Sequence, residues 1–199
     1  MQLLAFLAGS RFYKLLQHGR ETEQIIARND DSLLQHSTIE LERYFDNPPA
    51  QLPRQNAFSL ALALLCFLVV FVLNLLMLLH ILPDQQPQVR ALCFFLPSIL
   101  FLISILSASY QTSRGYLRGL NLFFALHGLL FIATIAQLML AMLAGDSRHA
   151  VMMVVALAAA LLCRRLINSQ SFILFVLWCR SQRIASLARE IRSENNNLR

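Results

Sequence analysis

The sequence predicts an all-α fold, a polytopic membrane protein whose bundle of four transmembrane helices carries N- and C-terminal helices on its cytoplasmic side. The first observation behind this prediction is composition: 57% of the 199 residues are hydrophobic and 14% are charged, whereas soluble domains carry about 25% charged residues. The second is that the apolar residues are gathered into four blocks of about the length that crosses a bilayer. The third is that lysines and arginines flank those blocks mainly on one side.

The N-terminal segment, residues 1–56, is expected to be helical and to lie in the cytoplasm. Its signals are the S-x-x-E pattern of a capping box from Ser37 to Glu40 and apolar residues at helical spacing on either side of it. The prolines from Pro48 to Pro53 then end the helix and form a stiff linker into the first span. The apolar start of the segment either lies on the bilayer surface or packs against the protein's own cytoplasmic helices, and the sequence leaves both alternatives open.

The transmembrane domain covers residues 57–167, with predicted spans at about 57–82, 89–108, 120–144 and 150–167. The first block contains no charged residue, and the second contains Pro97, which membrane helices tolerate as a kink. The connections between the blocks are short, so sequential spans are expected to be antiparallel neighbours. The small residues between Ala156 and Ala160 suit a close contact between the fourth span and another helix.

The end of the fourth span is ambiguous, because Arg164 and Arg165 stand where its apolar run stops. In one alternative the span ends near these arginines and a separate helix begins, and in another a single long helix continues into the cytosol. In a third, the apolar run from Phe172 to Cys179 forms a fifth span. A fifth span would strand five arginines on the far side of the membrane, so residues 168–199 are expected to form a cytoplasmic amphipathic helix. The two arginines are expected either to reach lipid headgroups or to line a pore.

Orientation follows from the distribution of positive charge, because 15 of the 17 lysines and arginines fall on one side of the four blocks. Arg90 and Arg148 are the two that fall on the other side. The arginine-rich side is therefore predicted to be cytoplasmic. An even number of spans then places both termini in the cytoplasm, and the expected location is the inner membrane of a bacterial cell.

The residues that carry chemistry in other proteins are arranged here in ways that disfavour catalysis. None of the 11 Asp and Glu residues lies inside a predicted span, which disfavours proton-relay pumps and intramembrane aspartyl proteases. The sequence contains no H-E-x-x-H, no G-x-S-x-G and no nucleotide-binding loop. His80, Asp84, Asp146 and His149 lie near the outer face, but their spacing matches no metal-site pattern. We therefore expect no enzymatic activity, no cofactor, no bound metal and no direct contact with nucleic acid.

Two groups of residues are candidate sites. Neutral polar side chains inside the spans are predicted to form a layer of interhelical hydrogen bonds, which either holds the bundle together or constricts a conduction path. This layer comprises Asn74, Ser98, His127, Thr134 and Gln137. Counting from the span ends places Asn74, Ser98 and Gln137 at similar depth, and His127 and Thr134 share the helix face of Gln137. An apolar face of the C-terminal helix, surrounded by arginines, is predicted to bind a partner or a membrane surface, or to pack against the N-terminal helices. This face comprises Trp178, Ile184, Leu187 and Ile191.

Together these features predict a non-enzymatic membrane protein that acts by assembly in the bilayer, either as a homo-oligomer or with a cytoplasmic protein partner. A membrane component of a defence, immunity or secretion system fits this description. An oligomeric ion channel or pore is one alternative, and an immunity protein against a pore-forming toxin is another. The last alternative rests on a likeness of architecture, since small four-span proteins without motifs are common among such proteins.

Overall fold

The computed structural model of the chain describes residues 9–28, 37–39, 44–45, 58–81 and 86–197. Of these residues 92% are helical and none is in a strand, which confirms the predicted all-α fold. The helices are α1 (Ser10–Arg28), α2 (Phe58–Ile81), α3 (Pro87–Ser113), α4 (Leu117–Leu143), α5 (Ser147–Ile167) and α6 (Gln170–Asn197). Several residues named above, Glu40, Asp84 and the prolines from Pro48 to Pro53, lie outside the described ranges.

Helices α2 to α5 are each long and apolar enough to cross a membrane, which supports an integral, multi-pass membrane protein. Their positions agree with the four predicted spans, but three boundaries differ by three residues or more, one of them the start of α4 at Leu117 instead of residue 120. Helix α3 continues beyond the predicted end at residue 108, because its polar last turn still packs inside the protein, where Thr112 is fully buried. Helix α5 begins before the predicted residue 150, because the Asp146 carboxylate caps it by accepting the backbone N–H of His149 at 3.2 Å.

The helix is interrupted at residues 168 and 169, between α5 and α6. The fourth span therefore ends close to its two arginines, and a separate helix follows. The alternative of one continuous helix is therefore wrong. Asn168 Nδ2 donates to the carbonyl oxygen of Arg164 at 2.8 Å, and Ser169 Oγ accepts the N–H of Phe172 at 3.3 Å. Such local bonds from side chain to backbone compete with helix continuation and explain the break. Helix α6 is not among the four helices apolar enough to span a membrane.

The core of the bundle contains a close contact between α2 and α5. Ala63 of α2 and Ala156 of α5 are fully buried, and Ala160 of α5 is 2% exposed. Cys163 Sγ lies 3.8 Å from the carbonyl oxygen of Ala63. Small residues four apart let two membrane helices approach closely. The contact predicted for the alanines of the fourth span is thus made within the chain.

Helix α4 packs against α3, α5 and α2, whereas α3 lies at the edge of the bundle and is the least buried of the four spans. Phe67 of α2 meets Phe123 of α4 with 5.7 Å between ring centroids. The contact between α3 and α4 depends on Gly119, since a Cβ at this position would lie 2.5 Å from the backbone nitrogen of Thr112. The edge position of α3 leaves a broad apolar face of this helix exposed among the described residues.

Helices α1 and α6 pack against each other and against the same end of the four spans. We name this end the arginine-rich end and the opposite one the far end. The turn between α3 and α4 lies at the arginine-rich end, and the turn between α4 and α5 lies at the far end. Gly115 and Gly145 in these turns have φ values of 76° and 70°, a left-handed conformation that favours glycine. The position of α1 and α6 on one side agrees with an even number of spans.

Candidate functional site

Three of the polar residues predicted to form a layer meet between α2 and α4. Asn74 Nδ2 donates to Thr134 Oγ1 at 2.8 Å and to the carbonyl oxygen of Val70, in its own helix, at 2.7 Å. Gln137 Nε2 donates to the backbone carbonyl of Asn74 at 3.2 Å. Asn74 and Thr134 are buried. These bonds therefore lie inside the bundle and hold α2 to α4.

The other two residues of the predicted layer lie apart from this group. Ser98 is on the exposed edge helix α3, and its hydroxyl donates to the carbonyl oxygen of Phe94 in the same helix at 2.6 Å. His127 is buried among aromatic rings, edge-on to Phe67 at 6.1 Å and stacked with Phe131 at 6.0 Å. The layer is therefore a contact among three residues. Ser98 lies at a similar depth but on a helix face that does not meet them, whereas His127 lies ten residues, or about 15 Å, along α4 from Gln137.

At the arginine-rich end, a buried arginine joins α6 to α1. Arg180 is 2% exposed, and its Nη1 donates to the carbonyl oxygen of Leu15 in α1 at 2.9 Å. It passes close to Gly19, where a Cβ would lie 2.4 Å from Arg180 Nη2. Burial lowers the pKa of Arg180 to about 10, although the charge of Glu23 opposes this shift, so the group is protonated at neutral pH. Separating α1 from a buried charge of this kind is costly, which holds the two helices in one register.

Glu23 of α1 connects three helices. Its carboxylate accepts two hydrogen bonds from Arg183 of α6, at 2.6 and 3.2 Å. It also accepts the N–H of Leu117 at 3.2 Å, at the start of α4, where the helix dipole favours a negative charge. Burial alone would raise the pKa of Glu23, but the bonds to Arg183 and Leu117 and the charges of Arg183 and Arg180 outweigh it and lower the pKa. The Arg183 guanidinium also lies 4.0 Å from the ring centre of Tyr116, a cation–π contact.

The start of α1 is held by the break between α5 and α6. Asn168 Oδ1 accepts the N–H of Phe12 at 3.1 Å, which satisfies one of the amides that a helix N-terminus leaves unpaired. The Phe12 ring is fully buried and packs against Phe172 of α6, with 6.2 Å between centroids. Gly9 precedes the helix at φ 87°, where a Cβ would lie 2.3 Å from the Asn168 side chain. Of the two alternatives for this segment, the described part from Gly9 onward therefore packs against the protein's own helices.

The apolar face predicted on the C-terminal helix is divided between internal packing and the surface. Ala185 and Ala188 are fully buried, so α6 uses these small residues against the rest of the protein. The Trp178 ring meets Phe45 of the N-terminal segment at 6.0 Å. The predicted face residues are all half-buried: Trp178, Ile184, Leu187 and Ile191. Part of this face is thus satisfied within the chain, and part of it remains accessible.

A cleft of about 410 Å³ opens between the end of α1, the α3–α4 turn and α6, and we name it the α1–α6 cleft. Ile26 and Leu187 contribute apolar surface, and Tyr116 contributes an aromatic ring. Arg114 and Arg183 contribute positive charge. Leu187 belongs to the predicted partner face and also lines this cleft.

Arg164 and Arg165 lie in the last turn of α5, at the arginine-rich end. They line a larger cleft of about 640 Å³ between α5 and the first turn of α1, to which Arg11 also contributes, and we name it the α1–α5 cleft. Its apolar residues include Leu161 and Leu162, which are exposed on the outside of the bundle. The cleft therefore opens toward the surroundings of the bundle, which favours the headgroup interpretation of these arginines over a pore.

At the far end, His80 and His149 share the carboxylate of Asp146, and their three ligand atoms lie within 4.8 Å of one another. Asp146 Oδ2 is 2.6 Å from His149 Nδ1 and 3.8 Å from His80 Nε2. Hydrogen bonds from the backbone and side chain of His149 lower the pKa of Asp146. The two imidazole rings stack at 3.8 Å with an angle of 18° between planes. The stacked rings and the shared carboxylate tie α5 to α2, and the three ligand atoms are close enough together to hold a metal ion, so the expectation of no bound metal stays a prediction.

Sequence reasoning missed the residues that position α1, namely Glu23, Arg180 and Asn168. One signal was available for Arg180, since it follows Phe172 and Val176 at helical spacing and so lies on the apolar side of α6. Glu23 and Asn168 bond residues that are far apart in the chain, and glutamate and asparagine are also common on solvated surfaces. Comparisons of the chain with protein-family models, with curated proteins and with solved structures find no match.

Proposed function

We propose that the chain is a non-enzymatic integral membrane protein that assembles in the bilayer and uses the α1–α6 pair to bind a cytoplasmic protein partner. The observation that carries this proposal is the attachment of α1 at three points, through Asn168, Arg180 and Glu23. A helix that only rests on a membrane surface needs an apolar face, not polar bonds to its neighbours. A pair of helices fixed in one geometry is suited to recognition, because a preorganised surface loses less entropy on binding.

The α1–α6 cleft is the place where we expect this partner to bind. Leu187, Tyr116 and Arg114 line it, and aromatic and arginine side chains are enriched where proteins bind one another. The positive charge of this end favours a partner segment with acidic residues. We therefore propose a partner that inserts an apolar or aromatic side chain beside Leu187 and places carboxylates near Arg114.

In the cell, this function corresponds to a membrane component of a defence, immunity or secretion system in the inner membrane of a bacterium. The cytoplasmic position of α1 and α6 is supported by the 15 of 17 lysines and arginines on their side of the spans. Assembly as a homo-oligomer is part of the proposal, and the edge helix α3 is the span that a second copy could reach most easily. An immunity protein is the variant in which the partner is a toxin within the membrane.

A channel is the second candidate, and one observation favours it. Asn74 Oδ1 and Gln137 Oε1 are buried acceptors without a hydrogen-bond partner among the described residues. Such oxygens hold water or cations in conduction paths. The hydrogen bonds that these two residues do make join α2 to α4 within one chain, which supports bundle contact as their role. Conductance of the purified protein in planar bilayers, abolished by Asn74→Leu, would favour the channel.

The test of partner binding is photo-crosslinking in native membranes. A photoreactive residue in place of Leu187 should form an adduct with one protein species, whereas the same residue in place of Leu106, exposed on the outer face of α3, should not form that adduct. Arg114→Glu should abolish the adduct because an acidic segment would be repelled. Arg118→Glu, an exposed site outside the cleft, should leave it intact.

Two results would count against the proposal. A chain that is present in the membrane but forms no protein adduct at position 187 would show that the α1–α6 cleft binds no partner under those conditions. Equal loss of the adduct with Arg114→Glu and Arg118→Glu would show that general positive charge, not the cleft, attracts the protein. An adduct with a second copy of the chain would assign the cleft to self-assembly instead of to a cytoplasmic partner.

A further inference from the structure

The α1–α5 cleft combines a basic rim with an apolar wall at the arginine-rich end of the fourth span. Its volume of about 640 Å³ falls within the range of about 300–1,000 Å³ that is common for ligand sites. The rim is formed by Arg11, Arg164 and Arg165, and the wall by Ala158, Leu161 and Leu162. No Asp or Glu is among the described residues that line the cleft.

The rim comes from two separate helices, which distinguishes it from a pair of arginines that merely ends a span. Arg11 and Arg165 are both exposed, one in the first turn of α1 and the other in the last turn of α5. The dipole of α1 adds a partial positive charge at its first turn. Asn168 holds that turn in place through the N–H of Phe12, so the rim is arranged before any ligand arrives. The rim is therefore a preformed concentration of positive charge, which suits an anion such as a phosphate group.

The wall shows which source of phosphate fits. Leu161 and Leu162 are 43% and 47% exposed, and both belong to a helix apolar enough to lie in the bilayer. Ala158 is also exposed, and its short side chain leaves a groove beside Leu161. A soluble anion would leave this wall unused, whereas the acyl chain of a lipid covers it. The alignment of rim and wall matches a headgroup at the membrane boundary with a chain running along the span.

We propose that the α1–α5 cleft is a binding site for an anionic glycerophospholipid. The phosphate lies between Arg11 and Arg165, which suit it because a guanidinium donates paired hydrogen bonds to phosphate oxygens. One acyl chain lies in the groove beside Ala158 and Leu161. The lipid thus bridges α1 to the fourth span and holds α1 in place, a role that requires no protein partner and is independent of the α1–α6 cleft.

The test uses the full chain in a neutral detergent, with binding measured by native mass spectrometry. Phosphatidylglycerol should bind at least tenfold more tightly than phosphatidylcholine with the same acyl chains. The double variant Arg11→Gln, Arg165→Gln should lose about tenfold or more of the affinity for phosphatidylglycerol, since each basic residue near an anionic surface is expected to contribute about fivefold. Binding of phosphatidylcholine should not change.

Two further variants keep the result interpretable. Arg118→Gln removes an exposed arginine of the same end that does not line the cleft, and it should leave phosphatidylglycerol binding unchanged. Ala158→Trp fills the groove and retains every arginine, and it should weaken phosphatidylglycerol binding. Because position 158 is exposed, this variant should still fold.

Three outcomes would overturn the proposal. The first is equal affinity of the unmodified chain for the two lipids. The second is a loss of phosphatidylglycerol affinity with Arg118→Gln as large as that with the double variant, which would show that the lipid responds to the overall positive charge of this end and not to the cleft. The third is binding of inorganic phosphate or glycerol 1-phosphate as tight as that of phosphatidylglycerol, which would assign the cleft to a soluble anion.

Discussion

Replacement of Glu23 by glutamine is the sharpest perturbation of the contact between α1 and α6. The substitution keeps the size of the side chain and removes its charge. In the native protein the carboxylate accepts two hydrogen bonds from Arg183 and one from the N–H of Leu117. A glutamine offers one acceptor oxygen, and its NH₂ group faces donors with which it cannot pair. The ion pair and part of the cap on α4 are lost together.

The size of the effect follows from the exposure of the two partners. Hydrogen bonds to charged groups contribute about 1.5–3 kcal/mol, whereas exposed ion pairs contribute about 0.2–1 kcal/mol because solvent screens them. The side chain of Glu23 is 32% exposed and that of Arg183 is 16% exposed, so this pair lies between the two cases. We expect Glu23→Gln to lower the free energy required to detach α1 by about 1–2 kcal/mol.

Amide hydrogen exchange in lipid nanodiscs measures this free energy helix by helix. A loss of about 1–2 kcal/mol should accelerate exchange of the α1 amides by about 5–30-fold, with the amides of α2 and α5 unchanged. In a double-mutant cycle with Arg183→Met, the two substitutions should be non-additive by about 0.5 kcal/mol or more. The matched control is Glu21→Gln, an exposed carboxylate of the same helix, which should leave exchange unchanged.

The reasoning would be refuted by α1 exchange that is unaffected by Glu23→Gln. It would also be refuted if Glu21→Gln accelerated exchange equally, since the effect would then come from helix charge in general. Additive effects of the Glu23 and Arg183 substitutions would show that the two side chains do not act on each other in the bilayer-embedded protein.

Further predictions concern pH, packing and the intramembrane contact. Because the pKa of Glu23 is lowered in the folded protein, this side chain stabilises α1 fully when the pH is above its unfolded pKa of about 4.3. The stabilisation is lost as the pH falls through the lower folded pKa. Hydrogen exchange should therefore show α1 detaching in acid, and Glu23→Gln should abolish this pH dependence. Gly119→Ala should destabilise the bundle by about 1–3 kcal/mol, because the new Cβ would lie 2.5 Å from the α3 backbone. Gly128→Ala should be harmless, because a Cβ there would have no neighbour within 4 Å. Thermal unfolding of the two variants in detergent tests this difference. Asn74→Leu should destabilise the bundle by about 0.6–2 kcal/mol in the same assay, whereas Ser98→Ala, whose hydroxyl bonds its own helix, should have no measurable effect.

The four spans could be predicted from the sequence because partition into a bilayer depends on local composition. A run of apolar residues such as that of α2 is buried in lipid whatever its neighbours are. The sequence leaves three alternatives open for the end of the fourth span, because Asn168 and Ser169 are weak signals by themselves. Their hydrogen bonds to nearby backbone atoms, which break the helix, are visible only once the helix is built.

The attachment of α1 could not be predicted in the same way. Glu23 and Arg183 are 160 positions apart, and in the sequence each is one of many charged residues outside the spans. The polar contact in the bundle was predicted in part, because counting from the span ends placed Asn74 and Gln137 at similar depth. The same counting failed for Ser98, since depth in a membrane does not say which side of a helix meets a neighbour.

Labelling of single cysteines in intact cells by a membrane-impermeant maleimide tests most directly whether the chain crosses the membrane four times with α1 and α6 inside. The unmodified chain, whose own cysteines are buried or half-buried, provides the background. Ser147→Cys at the far end should be labelled in intact cells, whereas Arg20→Cys in α1 and Ser193→Cys in α6 should be labelled only after the membrane is permeabilised. Labelling of Arg20→Cys or Ser193→Cys in intact cells would place that helix outside and contradict a cytoplasmic α1–α6 pair.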